Sequence, residues 1–520
     1  MALKDKLRII ETMEEDVRIG SLEKEKIDIY CQPLCFPMLY SNEKFYQLAC
    51  EIYDSFLAKL NVNSEITEQM IKDVVLKHIS GYSLPKTALK NEITEFIIDN
   101  LLYYGPITTI MRLAGNELND ILVNTKDYID VIYAGQTIAT PFRFRSEDDL
   151  RRIINRMLTE SNRKVDESHP IASAKLKDGS RLEVQIPPIA ANLDKEGNPG
   201  SYVTVRKFRE IPLLFESLID SGMIDLKIAY FLIHAIQGKL NIVVSGGTSS
   251  GKTTFLNSIT RFIDEGDQLL TIEDTKEMKP QMPCHSIRSF EARPANEEGA
   301  GEITIEMLLR TALRSSPRRI IVGECRGPEI VTMLNAMNTG HPGSMTTIHA
   351  DDTKEAIVRI ENMFLEARPT ANMNFIRSQI ISAVDLIVQL VRFPDGTRRV
   401  VKISEPEKRI EDNGVVSMLD IFEFRRDKNN ESFMNSNGRF KTISASTRSV
   451  DKMMQNGVKI DTRIFDNDFV VTKNMVLDLL NQYHPTRMCG WQEHYMAEII
   501  QHSYKDGKNI IERWSNLQNG

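Results

Sequence analysis

The chain has 520 residues, 41% of them hydrophobic and 26% charged, with 27 glycines and 20 prolines. That length and composition suit a globular protein of several domains and exclude a wholly disordered chain, a collagen-like repeat and a small disulfide scaffold. Lys and Arg number 65 against 72 Asp and Glu, a net charge of −7, which argues against a generic nucleic-acid binder, a class that usually carries a basic excess.

The N-terminus, Met-Ala-Leu-Lys-Asp-Lys, lacks the unbroken apolar stretch of a signal peptide, and no apolar run approaches the length needed to cross a bilayer. A soluble, cytoplasmic protein is expected, with any membrane work done through a partner. The six cysteines form no CxxC pair, so neither a zinc ribbon nor a thioredoxin motif is signalled; Cys31 and Cys35 could form a disulfide, but free thiols in a reducing compartment are the expectation.

In chain order, residues 1–100 read as helical, with apolar residues at helical spacing from Phe45 to Leu60, Ile66 to Ile79 and Glu92 to Tyr104. An α+β block follows over 101–212. Its strands are expected at Asp120–Asn124, Tyr128–Tyr133, Leu182–Ile186 and Tyr202–Arg206, with a helix over Asp148–Leu158. From about residue 220 strands and helices alternate, which predicts a mainly parallel sheet covered by helices over 213–445. Strands are expected at Asn241–Ser245, Gln268–Ile272, Arg319–Val322, Ser344–Ile348 and Leu386–Val391, and helices at Thr304–Ser315 and Glu329–Asn338. Residues 446–520 form a polar, partly helical extension.

The segment Gly246-Gly247-Thr248-Ser249-Ser250-Gly251-Lys252-Thr253-Thr254 fits GxxxxGK[ST], with an apolar strand before it and an amphipathic helix, Thr254 to Phe262, after it. Glycines let backbone N–H groups fold around phosphate oxygens, and the helix N-terminus adds a positive dipole end. Lys252 can reach the terminal phosphates, and the Thr253 hydroxyl is a ligand for Mg²⁺. The alternative, a Gly/Ser-rich loop matching by accident, does not explain the flanking strand and helix.

Hydrolysis needs a carboxylate to orient water and others to hold a hydrated metal. Thr271-Ile272-Glu273-Asp274-Thr275-Lys276-Glu277 and Ile320-Ile321-Val322-Gly323-Glu324 each deliver acids from the end of a predicted strand, the end at which open α/β sheets bind their ligands. Glu324 and Glu277 are the candidate catalytic acids, and Glu273 a candidate metal carboxylate. His341 and His349 flank a further strand. Their spacing suits no zinc helix motif, and at a strand end either could be structural or could sense the γ-phosphate.

The P-loop GGTSSGKTT, TIEDTKEM, IIVGECRGPE and GHPGSMTTIHA occur in that order. Together they resemble the Walker A, Asp box, Walker B and His box of the type II/IV secretion ATPase superfamily, most of all its CpaF branch, the motors of Tad/Flp-type pilus assembly. The likeness extends over about residues 90–425, through Leu101–Ile107, Arg163–Pro170, Asp178–Pro188, Val205–Phe208 and Ala383–Gln389. It implies a RecA-like P-loop motor domain, a preceding α+β domain with a helical N-terminal extension, and a homo-hexamer that hydrolyses ATP with Mg²⁺. It also implies docking at the inner face of the cytoplasmic membrane through a platform protein, with no direct nucleic acid.

By the same resemblance Arg181 and Arg206 approach the phosphates, His349 belongs to the His box, and Arg310, Arg314 and Arg326 match family arginines of less defined role. The chain departs from the pattern at Gly323, where the Walker B strand usually ends in Asp, and at Cys325, where an apolar residue is usual. It lacks a tetracysteine zinc module. Two other functions share the P-loop: a type IV secretion or conjugation traffic ATPase, and a nucleic-acid translocase on a RecA-like core. The acidic balance and the presence of only two Trp weigh against the translocase.

Overall fold

The computed structural model describes residues 36–58, 68–82, 87–115, 118–133, 135–208, 212–282, 287–295, 299–410, 414–427, 437–445 and 448–483, with strand residues at 504–505 and 508–509. Cys31, Cys35 and the Cys489–His494 segment lie outside the described residues. The chain divides into two compact units on either side of Arg209 and Glu210.

The first unit opens with helices α1 (Met38–Ser41), α2 (Glu43–Leu57), α3 (Glu68–Ile79), α4 (Thr87–Leu102) and α5 (Pro106–Ala114). The Asn42 side chain starts α2 by accepting from the N–H groups of Lys44 and Phe45, which satisfies donors that have no partner within the helix. Strands β1 (Leu118–Thr125), β2 (Tyr128–Tyr133) and β3 (Gln136–Ala139) follow. Helix α6 (Glu147–Thr159) precedes β4 (Ile171–Lys175), β5 (Arg181–Gln185) and β6 (Tyr202–Arg206). The six strands form one antiparallel sheet in the order β3-β2-β1-β6-β5-β4.

The helices of the first hundred residues do not stand apart. Ile52 and Phe56 of α2, Ile93 and Phe96 of α4, Ile153 and Met157 of α6, and Ile121, Val184 and Val205 of the sheet share a single buried cluster. The compact units are therefore two, where composition suggests four segments, because apolar helix faces and the inner sheet face bury one another.

The second unit holds α7 (Phe215–Asp220), α8 (Leu226–Gln237), β7 (Ile242–Gly246), α9 (Lys252–Ile259), β8 (Leu269–Glu273), β9 (Ile287–Glu291), α10 (Ile305–Ala312) and β10 (Arg319–Val322). It continues with α11 (Glu329–Asn338), β11 (Met345–Ile348), α12 (Thr353–Ala367), α13 (Met373–Ala383) and β12 (Leu386–Arg392). Strands β13 (Arg398–Ile410), β14 (Val416–Arg426) and β15 (Gly438–Thr442) and helices α14 (Arg448–Gln455) and α15 (Lys473–Gln482) complete it. Nine strands form one sheet, β15-β14-β13-β12-β7-β11-β10-β8-β9. The six from β12 to β9 pair in parallel, and β12 to β15 pair antiparallel.

Alternation along the strands splits the core in two. Ile242, Val244, Ile321, Leu386 and Val388 pack with α8 and α9 on one face. Val243, Ile320, Val322 and Ile387 pack with α11, α12 and α13 on the other. A strand buried on both faces reads as a continuous apolar run, which is why β7, β10 and β12 are conspicuous in the sequence. This is the α/β architecture of a RecA-like P-loop domain. The antiparallel extension was not anticipated, because polar residues interrupt β13 and β14, whose faces are only partly buried.

Residues 448–483 belong to this core as well. Val450, Met453, Val476, Leu477 and Leu480 are buried in the α8 and α9 cluster. Lys452 and Arg448 pair with the buried Asp385.

At the opposite end of β10 from its carboxyl terminus, Arg319 is 1% exposed. Its Nε donates to Asp267 Oδ2 at 2.8 Å and its Nη1 to the Ile236 carbonyl at 2.8 Å. Asp267 also takes Lys239 at 2.9 Å. Removing one member of a buried pair leaves an uncompensated charge. Asp267→Ala is therefore expected to lower stability by about 3–5 kcal/mol, read as a shift of the urea unfolding midpoint. A shift equivalent to less than about 1 kcal/mol, the level of a surface pair, would show that Arg319 does not depend on Asp267.

Candidate functional site

Strand β7 is buried throughout and ends at Gly246. A Cβ there would fall 2.5 Å from the Leu390 carbonyl oxygen and 2.6 Å from Ser250 Oγ, so the close approach admits only glycine. The loop then exposes Thr248 and Ser249, leaves Gly247 half-buried and buries Ser250. Gly251, at φ +94°, takes the left-handed conformation that starts α9, and Thr253 and Thr254 lie half-buried in the first turn. The first N–H groups of a helix have no partner within it, and with the dipole they form an anion site.

Lys252 Nζ donates to the carbonyls of Gly246 and Gly247 at 2.6 and 3.0 Å. Burial holds its ammonium below the usual lysine range, opposed by the Glu324 carboxylate and reinforced by the Arg326 charge. Ser250 Oγ is buried and has no hydrogen-bond partner. An unmatched hydroxyl beside unpaired helix amides suits a phosphate-binding loop, because a buried polar group without a partner is otherwise costly.

Register carries the acids to the same edge. Val322 pairs with Ile272 and with Thr346, and Ile348 pairs with Ser245. Glu273, Glu324 and His349 therefore end or follow strands in the same parallel stack as the loop. Glu273 is 4% exposed. Its Oε1 accepts the N–H groups of Glu277 and Met278 at 3.0 and 2.9 Å, and its Oε2 has no partner. Burial pushes its pKa up to about 7, against the pull of those two amides.

By binding that turn, Glu273 fixes where the half-buried Glu277 begins. Gly323 is explained by the same carboxylate, since a Cβ at 323 would sit 2.9 Å from Glu273 Cγ. The residue in the usual Walker B Asp position is small because a buried glutamate occupies the space.

Glu324 is half-buried and pairs with Arg326 at 2.7 Å. Burial alone would raise its pKa, but the Arg326 hydrogen bond and charge, with Lys252 and His349, hold it below the usual carboxylate range. Arg326 also reaches Asp274 at 3.5 Å. His349 is exposed at the end of β11, whereas the Nδ1 of His341 is tied to the Pro317 carbonyl at 2.8 Å, a structural role. Arg310 pairs with Glu306 on an exposed helix face, and Arg314 is exposed just beyond that helix. Cys325 is 2% exposed in the apolar cluster and accepts from Thr346 Oγ1, which accounts for a thiol where an aliphatic side chain is usual.

Arg181 and Arg206 lie in the first unit as direct cross-strand partners on β5 and β6. Arg206 is half-exposed and bound to Asp120 at 2.8 Å, and Arg181 lies 5.9 Å from the Phe208 ring centre.

Sequence reasoning missed Arg398, on β13, whose Nε donates to the Ser249 carbonyl at 2.9 Å. Nothing local announces it, since the two residues are 149 positions apart. Among the described residues no group of three or more His, Cys, Asp or Glu side chains is arranged to hold a metal ion. A Mg²⁺ ion here would be held mainly through phosphate oxygens, as is usual for that cation, with the Thr253 hydroxyl alongside.

A family model described as type II/IV secretion system protein matches residues 106–469. A putative conjugal transfer protein of Mycobacterium tuberculosis is 31% identical over 298 residues, 56% of this chain and 82% of that one. The type IV secretion system protein VirB11 of Bartonella henselae is 28% identical over 335 residues, 57% and 90% of the two chains. Among solved structures, the VirB11 ATPase of the Brucella suis type IV secretion system matches at 23% identity and a TM-score of 0.31, covering 58% of this chain and 95% of that one. The Legionella pneumophila ATPase DotB matches at 19% and 0.37, covering 67% and 84%. Among the described residues no helix is long and apolar enough to cross a membrane.

Glu273 gives a pH test with a definite sign. Its folded pKa of about 7 stands above the ordinary 4.5, so the folded state binds the proton more tightly. The resulting stability is full below about pH 4.5 and is lost as the pH rises through about 7. Wild type should therefore lose up to about 3 kcal/mol relative to Glu273→Gln between about pH 5 and pH 8, measured by urea unfolding across that range. A difference that grows as the pH falls would show that Glu273 is ionised throughout.

Proposed function

This chain belongs to the type II/IV secretion system protein family and is an ATPase, and we propose that it is the nucleotide-driven motor of a secretion, conjugation or pilus apparatus. The observation that carries this reading is the single sheet edge at which Lys252, Glu324, Glu273 and His349 converge.

In this mechanism Lys252 exchanges its two loop carbonyls for β- and γ-phosphate oxygens, while the amides from Gly247 to Thr253 receive the remaining negative charge. The Thr253 hydroxyl would help hold Mg²⁺, which when bound would supply charge neutralisation for the phosphates. Glu324, ionised by its cationic neighbours, orients the attacking water, and Glu277 assists from the turn that Glu273 holds. Arg181 and Arg206 neutralise charge that develops during transfer.

The machine it serves is the finer question. The relatives named for conjugal transfer and type IV secretion favour a traffic ATPase of those systems. The forms of the four motifs favour a Tad/Flp-type pilus motor. Both readings take the chain as a hexamer docked on an inner-membrane platform protein at the cytoplasmic face, and neither requires bound nucleic acid.

Purified protein with ATP and Mg²⁺ tests the chemistry. Lys252→Ala is expected to abolish ATP binding in calorimetry. Glu324→Gln should keep binding and lose about 10²–10⁴-fold in turnover, with Arg181→Ala and Arg206→Ala also slowing turnover while binding persists. Turnover by Glu324→Gln at the wild-type rate would remove that residue from its role. Strong stimulation by single-stranded DNA would favour the translocase instead.

A further inference from the structure

The phosphate loop carries a conformational problem that its own sequence does not solve. Ser249 sits at φ +58°, in the left-handed region that a residue with a Cβ enters at a cost of roughly 1–3 kcal/mol. Such a conformation persists only where the surroundings hold it. Thr248 and Ser249 are the exposed rim of the loop, so packing does not supply the hold.

The hold comes from another element. Arg398, the first residue of β13, donates from Nε to the Ser249 carbonyl at 2.9 Å. Its stem crosses the mouth of the helix, since a Cβ at Gly251 would lie 3.1 Å from Arg398 Cδ and 3.4 Å from Met223 Cε. The start of β13 is itself fixed on the other side. Arg399 Nη1 donates to the Gly222 carbonyl, the Val400 N–H donates to the Met223 carbonyl at 2.9 Å, and the Arg399 guanidinium lies 5.2 Å from the Phe424 ring centre. Arg398 thus projects from a rigid base.

The peptide group explains why this matters. Carbonyl and N–H of one peptide point in opposite directions, so an arginine that holds the Ser249 carbonyl outward turns the Ser250 N–H into the loop. There it meets the Gly247 carbonyl only at 3.4 Å, a long contact that a phosphate oxygen could replace. Lys252 holds the Gly246 and Gly247 carbonyls from inside the loop.

We propose that Arg398 is a positioning residue of the phosphate cradle. It keeps the Ser249–Ser250 peptide in its anion-binding orientation before the nucleotide arrives, and so sets affinity rather than the rate of the chemical step. This rests on the loop binding a nucleoside triphosphate, and Lys252→Ala is the control that separates the two claims.

The experiment titrates full-length wild type, Arg398→Ala, Arg398→Lys and Lys252→Ala with ATP and with ADP by calorimetry, and measures KM and kcat with ATP. Arg398→Ala is expected to raise Kd and KM by roughly ten- to 150-fold, the worth of a hydrogen bond to a charged group, with kcat changed less than about two-fold. Arg398→Lys, which keeps the charge but not the fixed planar donor geometry, should recover only part of the loss. A second variant, Ser249→Gly, relieves the left-handed strain, so Arg398→Ala should cost less affinity on that background than on the wild type.

Unchanged Kd and KM in Arg398→Ala, or a loss confined to kcat, overturns the proposal. An equal loss with and without Ser249→Gly also overturns it. If Arg398→Ala does not fold, Arg398→Lys and Arg398→Gln decide, and wild-type affinity in both overturns the proposal. ATP binding retained by Lys252→Ala would instead overturn the nucleotide-loop reading itself.

Discussion

Parallel pairing of β7, β11, β10 and β8 in one register is the constraint on which the chemistry depends. Neighbouring strands lie about 4.8 Å apart, so four consecutive carboxyl ends span about 14 Å, the scale of a triphosphate with its attendant groups. Pairing of Ser245 with Ile348, of Val322 with Thr346 and of Val322 with Ile272 means that neighbouring strands end within two residues of one another. A slip of one residue in β8 would carry Glu273 to the other face of the sheet, out of reach of the turn it holds and of the space left by Gly323. The two apolar clusters enforce that register, because every strand in the stack is buried on both faces.

Within that frame the two carboxyls are separated by environment rather than by type. Glu324 stands among Arg326, Lys252 and His349 and is held ionised. Glu273, a strand away, is desolvated and carries its proton up to about pH 7. Divergent environments for paired acids are the physical basis on which such groups take different tasks. Here the charged one is free to orient water, while the near-neutral one binds backbone amides and shapes the turn leading to Glu277. Desolvation of Lys252 works in the same direction, because a buried ammonium interacts more strongly with any anion that reaches it.

The sequence made local features legible and long-range ones opaque. The bounds of β2, β10 and α11 were readable from β-branched or helical periodicity, and the strand before the P-loop came within one residue of β7. The phosphate cradle was legible because the backbone conformations it needs narrow the choice at Gly246 and Gly251 to glycine. The shared core of the N-terminal helices with the six-stranded sheet was not legible, since an apolar helix face does not say what it faces. Gly323 read as a departure until the buried Glu273 side chain supplied the reason. Arg398 was invisible for the same cause: its partner is fixed by the β12–β13 pairing and not by any nearby residue.

The family match ends at residue 469, but the physical core of the motor unit does not. Arg261, just past α9, is 2% exposed and makes two hydrogen bonds of 2.8 Å to the buried Glu216 of α7. Its remaining donors go to the carbonyls of Leu480 and Tyr483, at the end of α15. The last carbonyls of a helix lack a full set of partners within it, so Arg261 adds to the cap that the Tyr483 N–H makes on the Leu480 carbonyl. Taking α15 away would leave a buried guanidinium with half its acceptors and would uncover the part of the α8 and α9 cluster against which Val476, Leu477 and Leu480 are buried. The helix that starts at the phosphate loop therefore ends against a segment outside the family's common span. Any strain that nucleotide places on α9 is met at its far end by Glu216 and by α15 together.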